Sequence, residues 1–411
     1  MIVFMYLFFL FGIISIENLV GSAFLVGGFP LWTWLIYAFY ILSCLYSFAF
    51  IMQKNSRDNM YFQMVVFMTA FFCVLAISLY HHQSMLTILK ESHLYVIPIC
   101  MYAFIWGCKF EYASFWKFVK YIVILTDVIS VLFLLGVLGT LTNAAYISTL
   151  SRSSTLIDGG LGLVALAIGL YCLFYENDFY TEKESWLFIL SGILITVSGQ
   201  SRARLLTAVL LLSVFFLMSA TEKNKNSGKR FSWSVTILLA FMIGTVIMLV
   251  LSDQTSSLIS QIFDRFTLMG TDNPSLYRVY EREKQMSVFK EHPFFGAGWG
   301  AYEEITIKNL YGIKANVDNH NMYTTLLGMG GLILAFAYVI WFAKLIKNII
   351  VRYSSQSIEK LNVLMILAIG ALSYSSAGFA KSSMVLAITI VYVNVFHCQN
   401  IGVEKGVKSY K

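Results

Sequence analysis

Charge is what this chain has least of. Only 12% of its 411 residues are Asp, Glu, Lys or Arg, against 58% that are apolar. The few charges gather in short clusters between long apolar runs, and no soluble core could absorb so much apolar surface. Cysteine is also sparse: Cys44, Cys73, Cys100, Cys108, Cys172 and Cys398 sit in or beside apolar runs, without the paired spacing of a zinc site or a disulfide framework. They read as small packing residues. The first apolar run has no basic stretch before it, since Lys54 is the first basic residue, and no clear small-residue cleavage site after it. It reads as a helix rather than a cleaved leader.

Apolar segments of membrane-crossing length are abundant. A hydrocarbon layer of about 30 Å takes roughly 20 helical residues, because backbone groups in lipid must bond within their own segment. Such stretches fall near 2–16, 31–52, 60–80, 94–108, 121–141, 159–175, 186–200, 205–220, 233–251, 322–343, 361–380 and 382–399. The pattern predicts an all-α, polytopic membrane helix bundle of about twelve transmembrane helices with one long external loop. Residues 1–251 would hold about nine of them, 252–321 the loop, and 322–411 the last three and a short tail.

The net charge of +7 reflects orientation rather than a nucleic-acid partner. With the N-terminus inside, the inner loops carry 17 Lys and Arg, and the short outer loops carry five. This places both termini in the cytoplasm and the long loop outside a multi-pass cell-membrane protein.

A loop of this length in a compact protein is usually functional or disordered, and this one is rich in aromatics: Phe263, Phe266, Phe289, Phe294, Phe295, Trp299 and Tyr302. Its middle reads as a helix ending before Pro293, with Leu276, Val279, Tyr280 and Met286 on one side and Arg278, Glu281, Arg282 and Gln285 opposite. The glycines at 296, 298 and 300 could suggest a phosphate cradle, but no βαβ context surrounds them. A tight turn with close backbone approach is the better reading.

Three further features bear chemistry. In Asp318-Asn-His-Asn-Met-Tyr323 the chain re-enters the bilayer, and His320 there serves either as a structural hydrogen-bonder or in proton transfer. Ser198-Gly-Gln-Ser-Arg-Ala-Arg204 is a polar hinge whose Arg202 and Arg204 either snorkel or grip a phosphate. Asp127 lies inside an apolar span, where an ionisable residue marks a functional site or a paired packing role.

Taken in order, the Ser201-Arg202 hinge, Arg278 on a helix leading to Pro293-Phe-Phe-Gly-Ala-Gly, and His320-Asn321 before a glycine-bearing helix resemble the O-antigen ligase and polymerase family of bacterial envelope enzymes. The resemblance covers about residues 186–343. It implies a metal-independent, cofactor-free glycosyl transfer on the outer face, from a polyprenyl-pyrophosphate-linked oligosaccharide to a sugar hydroxyl. By that resemblance Arg202 and Arg278 stabilise charge on the leaving pyrophosphate and His320 is the base. Arg204, Arg265, Arg282, Asn321 and Tyr323 are the candidate substrate-binding residues. The partners it implies are that lipid-linked oligosaccharide and the bilayer, with a chain-length regulator and a flippase as candidates. The chain departs from the family pattern in its second hinge cation, Arg204, and in Gly331-Leu-Ile-Leu. A repeat-unit polymerase is the leading expectation, with a ligase of finished glycan as the alternative. A flippase would show paired internal repeats and short loops, which the sequence lacks.

Overall fold

The computed structural model describes residues 2–14, 25–26, 29–53, 60–108, 111–135, 157–175, 179–198, 201–221, 273–302, 306–308, 314–316, 321–353, 357–374 and 382–408. Among these are twelve helices: α1 (Ile2–Ile13), α2 (Leu31–Met52), α3 (Tyr61–Tyr80), α4 (Met85–Cys108), α5 (Tyr112–Leu134), α6 (Gly160–Phe174), α7 (Glu182–Ser198), α8 (Arg202–Thr221), α9 (Asn273–Glu291), α10 (Met322–Arg352), α11 (Ile358–Ser373) and α12 (Ser382–Lys408). Two antiparallel hairpins, Leu25–Val26 with Phe29–Pro30 and Thr306–Lys308 with Lys314–Asn316, are the only sheet among the described residues. The protein is an all-α membrane helix bundle. Four described helical stretches, Thr33–Met52, Tyr61–Tyr80, Met85–Cys108 and Met322–Arg352, are long and apolar enough to cross a bilayer by length and composition, and several shorter apolar helices accompany them.

Eleven of the apolar runs seen in the sequence coincide with a helix, and the run at 233–251 lies outside the described residues. The twelfth helix, α9, is the one expected within the long loop. Its orientation is the finding. The side it buries carries Glu281 and Gln285, whereas Val279 and Tyr280 are exposed. Gln285 is tolerated inside because its amide oxygen accepts a hydrogen bond from the Thr324 hydroxyl.

The chain forms two compact units, residues 1–122 with 277–411, and residues 123–276. In the first, α4 packs against α2, α3 and α12, and α10 against α3. Pro98 stands inside α4 and withholds an amide from its helical ladder. Around that turn, hydroxyls from neighbouring helices bond α4 carbonyls: Tyr338 donates to Tyr95 O, and Tyr392 donates to Pro98 O at 3.1 Å. Lipid offers no water to take their place. Trp341 Nε1 donates to Tyr392 Oη at 2.9 Å, joining α10 and α12 beside Tyr102. Two residues farther along α12, a polar chain runs from Glu359 through Asn362 and Asn394 to Tyr112.

In the second unit, α6 and α7 make the main contact. Gly162 and Gly192 let the two backbones meet: a Cβ on Gly192 would lie 2.7 Å from Gly162 O and from Leu166 N. Lipid tails are as apolar as leucine, so such close packing of small residues replaces the hydrophobic effect as the cohesive force.

Candidate active site

The end of the long loop is spliced into a membrane helix. In an unbroken α-helix the amides of Leu332 and Ile333 would bond the carbonyls of Gly328 and Met329. In α10 they do not, because Gly331 adopts φ 60°, ψ −164°. The freed carbonyls accept instead from Ala297 N and Gly298 N, each at 2.9 Å, and the freed amides donate to Pro293 O at 2.9 Å and Phe294 O at 3.0 Å. The segment 293–298 thus fills the gap with four backbone hydrogen bonds. Gly296 is required by the same approach, since at φ +72° its Cβ would lie 2.2 Å from Met329 O.

Farther along, Trp299 N donates to Ser78 Oγ at 2.7 Å and Gly300 N to the buried Glu91 carboxylate at 3.0 Å. Trp299 itself is fully buried, stacked on Tyr95. Every amide from Gly296 to Ala301 therefore has a partner within the protein. None is left to cradle a phosphate, and the three glycines serve the tight turn and close approach that their spacing suggested. Burial pushes the neighbouring Tyr302 phenol far above its usual range.

Just before the splice, α10 begins in a polar cluster. Asn321 is its N-cap: Oδ1 accepts from Tyr323 N at 3.0 Å and Thr324 N at 3.2 Å. Its Nδ2 donates to Tyr374 O at 3.1 Å, at the end of α11. The Tyr374 hydroxyl accepts from Arg282 Nη1 at 3.1 Å, and the guanidinium carbon stands 4.9 Å from the ring centroid. Arg278 lies one turn earlier on α9, half-buried and on the same stripe as Arg282. Tyr323 bonds Gly370 O at 3.1 Å. The structure thus gathers Arg282, Asn321 and Tyr323 around the end of α11. His320, which covalently precedes Asn321, and Arg265 lie outside the described residues.

An apolar cavity of about 630 Å³ opens on the same helix, lined by Phe294, Phe295, Leu332, Ile333, Phe336 and Val339. It adjoins the splice and holds almost no polar surface.

In the second unit, Arg202 is the first residue of α8. Arg204 is buried, with Nη2 3.9 Å from Asp158 Oδ1. Asp127 on α5 accepts a hydrogen bond from Ser191 on α7, which gives the intramembrane carboxylate a packing partner.

Sequence reasoning passed over Tyr374, Glu91, Ser78 and Asp158. Tyr374 opens the polar run Tyr-Ser-Ser at 374–376, a visible signal at the end of an apolar helix. Asp158 stands before two glycines at a helix start, a readable capping pattern. Nothing local marks Ser78 or Glu91, whose partners lie more than two hundred residues away along the chain.

No curated protein matches the chain. Residues 186–339 match the family model described as O-antigen ligase, Wzy_C. The match encloses the hinge, α9, the splice and the start of α10, in the region where the resemblance placed them. Over residues 186–339 the chain is therefore similar to the O-antigen ligase family, which supports a membrane enzyme of the glycan-transferring ligase and polymerase type.

Proposed function

We propose that the protein is a polymerase that joins polyprenyl-pyrophosphate-linked oligosaccharide repeat units into a surface polysaccharide, a capsule, exopolysaccharide or O-antigen, on the outer face of the cytoplasmic membrane. The observation that carries this reading is the similarity to the O-antigen ligase family over a segment that encloses Arg202, Arg278 and His320. In the transfer, the acceptor hydroxyl oxygen bonds the anomeric carbon of the donor sugar while the bond from that carbon to the pyrophosphate oxygen breaks. His320 takes the hydroxyl proton, and polyprenyl pyrophosphate leaves with the electron pair. Negative charge grows on the leaving oxygen, and the family resemblance assigns the guanidinium groups of Arg202 and Arg278 to stabilise it.

Arg265, Arg282, Asn321 and Tyr323 bind substrate in this scheme. The α9, α10 and α11 cluster supports it, because hydrogen bonds hold Arg282, Asn321 and Tyr323 together around the end of α11. The apolar cavity on α10 offers the dry surface that a polyprenyl tail requires. Guanidinium groups supply the cationic stabilisation that a metal gives elsewhere, so the transfer is metal-independent in this reading.

A second reading is a ligase that moves finished glycan to a lipid or protein acceptor. The printed description of the matched family favours it. One experiment separates the two. A deletion strain is complemented with His320→Ala, membrane expression is confirmed, and lipid-linked and surface glycans are resolved on a gel. Single repeat units with no ladder support the polymerase. Long chains left on the lipid carrier support the ligase. A wild-type ladder on surface glycan overturns both.

A further inference from the structure

Arg204 belongs to a buried ion pair at the hinge, and its geometry differs from that of a residue waiting for substrate. The side chain is 6% exposed. Its Nη2 faces Asp158 Oδ1 at 3.9 Å, and the same carboxylate oxygen accepts from Gly160 N at 3.0 Å. Asp158 is itself buried and precedes α6. The guanidinium lies over Gly159, where a Cβ would sit 2.3 Å from Nη1. Nη1 is sealed from solvent and has no hydrogen-bond partner among the described residues. No phosphate reaches it without dislodging the pair.

A charge buried this way is costly unless paired, and removing one partner leaves the other uncompensated. What the pair holds is the junction of α6 with the first turn of α8. Arg202 opens that turn, two residues before Arg204. Fixing Arg204 inward therefore fixes the rotation of the backbone turn that carries Arg202.

We infer that Asp158 and Arg204 are a positioning pair that holds the first turn of α8, and with it the place of Arg202 in the chain's catalytic machinery, rather than a substrate-binding site. This rests on the role given to Arg202 above. The glycine at 159 belongs to the device, since the arginine needs its missing side chain.

The test uses the full-length protein in nanodiscs and, as substrate, lipid-linked repeat units extracted from the deletion strain. Asp158→Asn, Arg204→Gln, the double variant and Arg202→Ala are compared for kcat, for KM and for thermal unfolding. Asn keeps an oxygen for Gly160 N and removes only the charge. In each single variant kcat falls by about tenfold or more while KM for the donor stays within about twofold. The double variant is no worse than the poorer single, because the two residues act as one unit. Additive losses, a rise in KM with kcat preserved, activity that only tracks the folded fraction, or wild-type rates overturn the pair. A neutral Arg202→Ala overturns both this inference and the catalytic role of Arg202. An inactive Arg202→Ala beside active pair variants overturns the inference alone.

Discussion

Gly331→Ala is the sharpest test of the spliced helix. Alanine cannot adopt φ 60°, ψ −164° without strain of about 1–3 kcal/mol. Space is also lacking, since a Cβ there would lie 2.4 Å from Gly296 N and 2.5 Å from Phe294 O, both main-chain atoms that cannot swing aside. Alanine favours continuous helix over glycine by about 1 kcal/mol. If the ladder closes, two helical hydrogen bonds form and the four to segment 293–298 are lost. At about 1 kcal/mol net per bond, that loss opposes opening by about 2 kcal/mol. Strain and propensity thus favour opening by about 2–4 kcal/mol, the lost bonds offset about 2 kcal/mol of it, and the main-chain overlap of the new Cβ tips the balance toward opening. Amide exchange read by mass spectrometry on the nanodisc-embedded protein should show protection lost over 294–300 but kept in α4 and α12, and glycan elongation should fall with it. Unchanged protection across 294–300 would refute the reasoning, because it would mean that the turn does not depend on the break.

Two other variants probe the supports of the site. Asn321→Ala removes the cap of α10 and its link to α11, costing about 1 kcal/mol of local stability; glycan chains should shorten more than thermal unfolding drops, and an unchanged ladder counts against the cap's role. Gly192→Val drives a side chain into Gly162 O and Leu166 N, so the protein should be lost from the membrane fraction on an immunoblot, with wild-type abundance excluding the close approach of α6 and α7.

The helices were legible because lipid demands apolar segments of a set length, and that demand is local. Where helices depart from the runs, a partnered polar residue is the reason. α4 starts at Met85 rather than near 94, taking Glu91 into the helix, because the Gly300 amide meets that carboxylate. Hydropathy could not show the break at Gly331, which lies within an apolar run and exists only because a distant turn fills it. The two compact units were equally hidden: the first and last helices pack together, a pairing that linear division of the chain does not see. The candidate residues emerged from their order along the chain. Arg282, Asn321 and Tyr323 meet at the end of α11, whereas Arg204 turned inward to Asp158, a residue with no apparent chemistry in the sequence.

The break in α10 also has a mechanical meaning. Before Gly331, residues 322–330 form a short helical arm tied at its end to the 293–298 turn. Displacing the turn would swing that arm about the glycine as a lever about its fulcrum, and the Asn321 cap would travel at its tip while the membrane-buried shaft stood still.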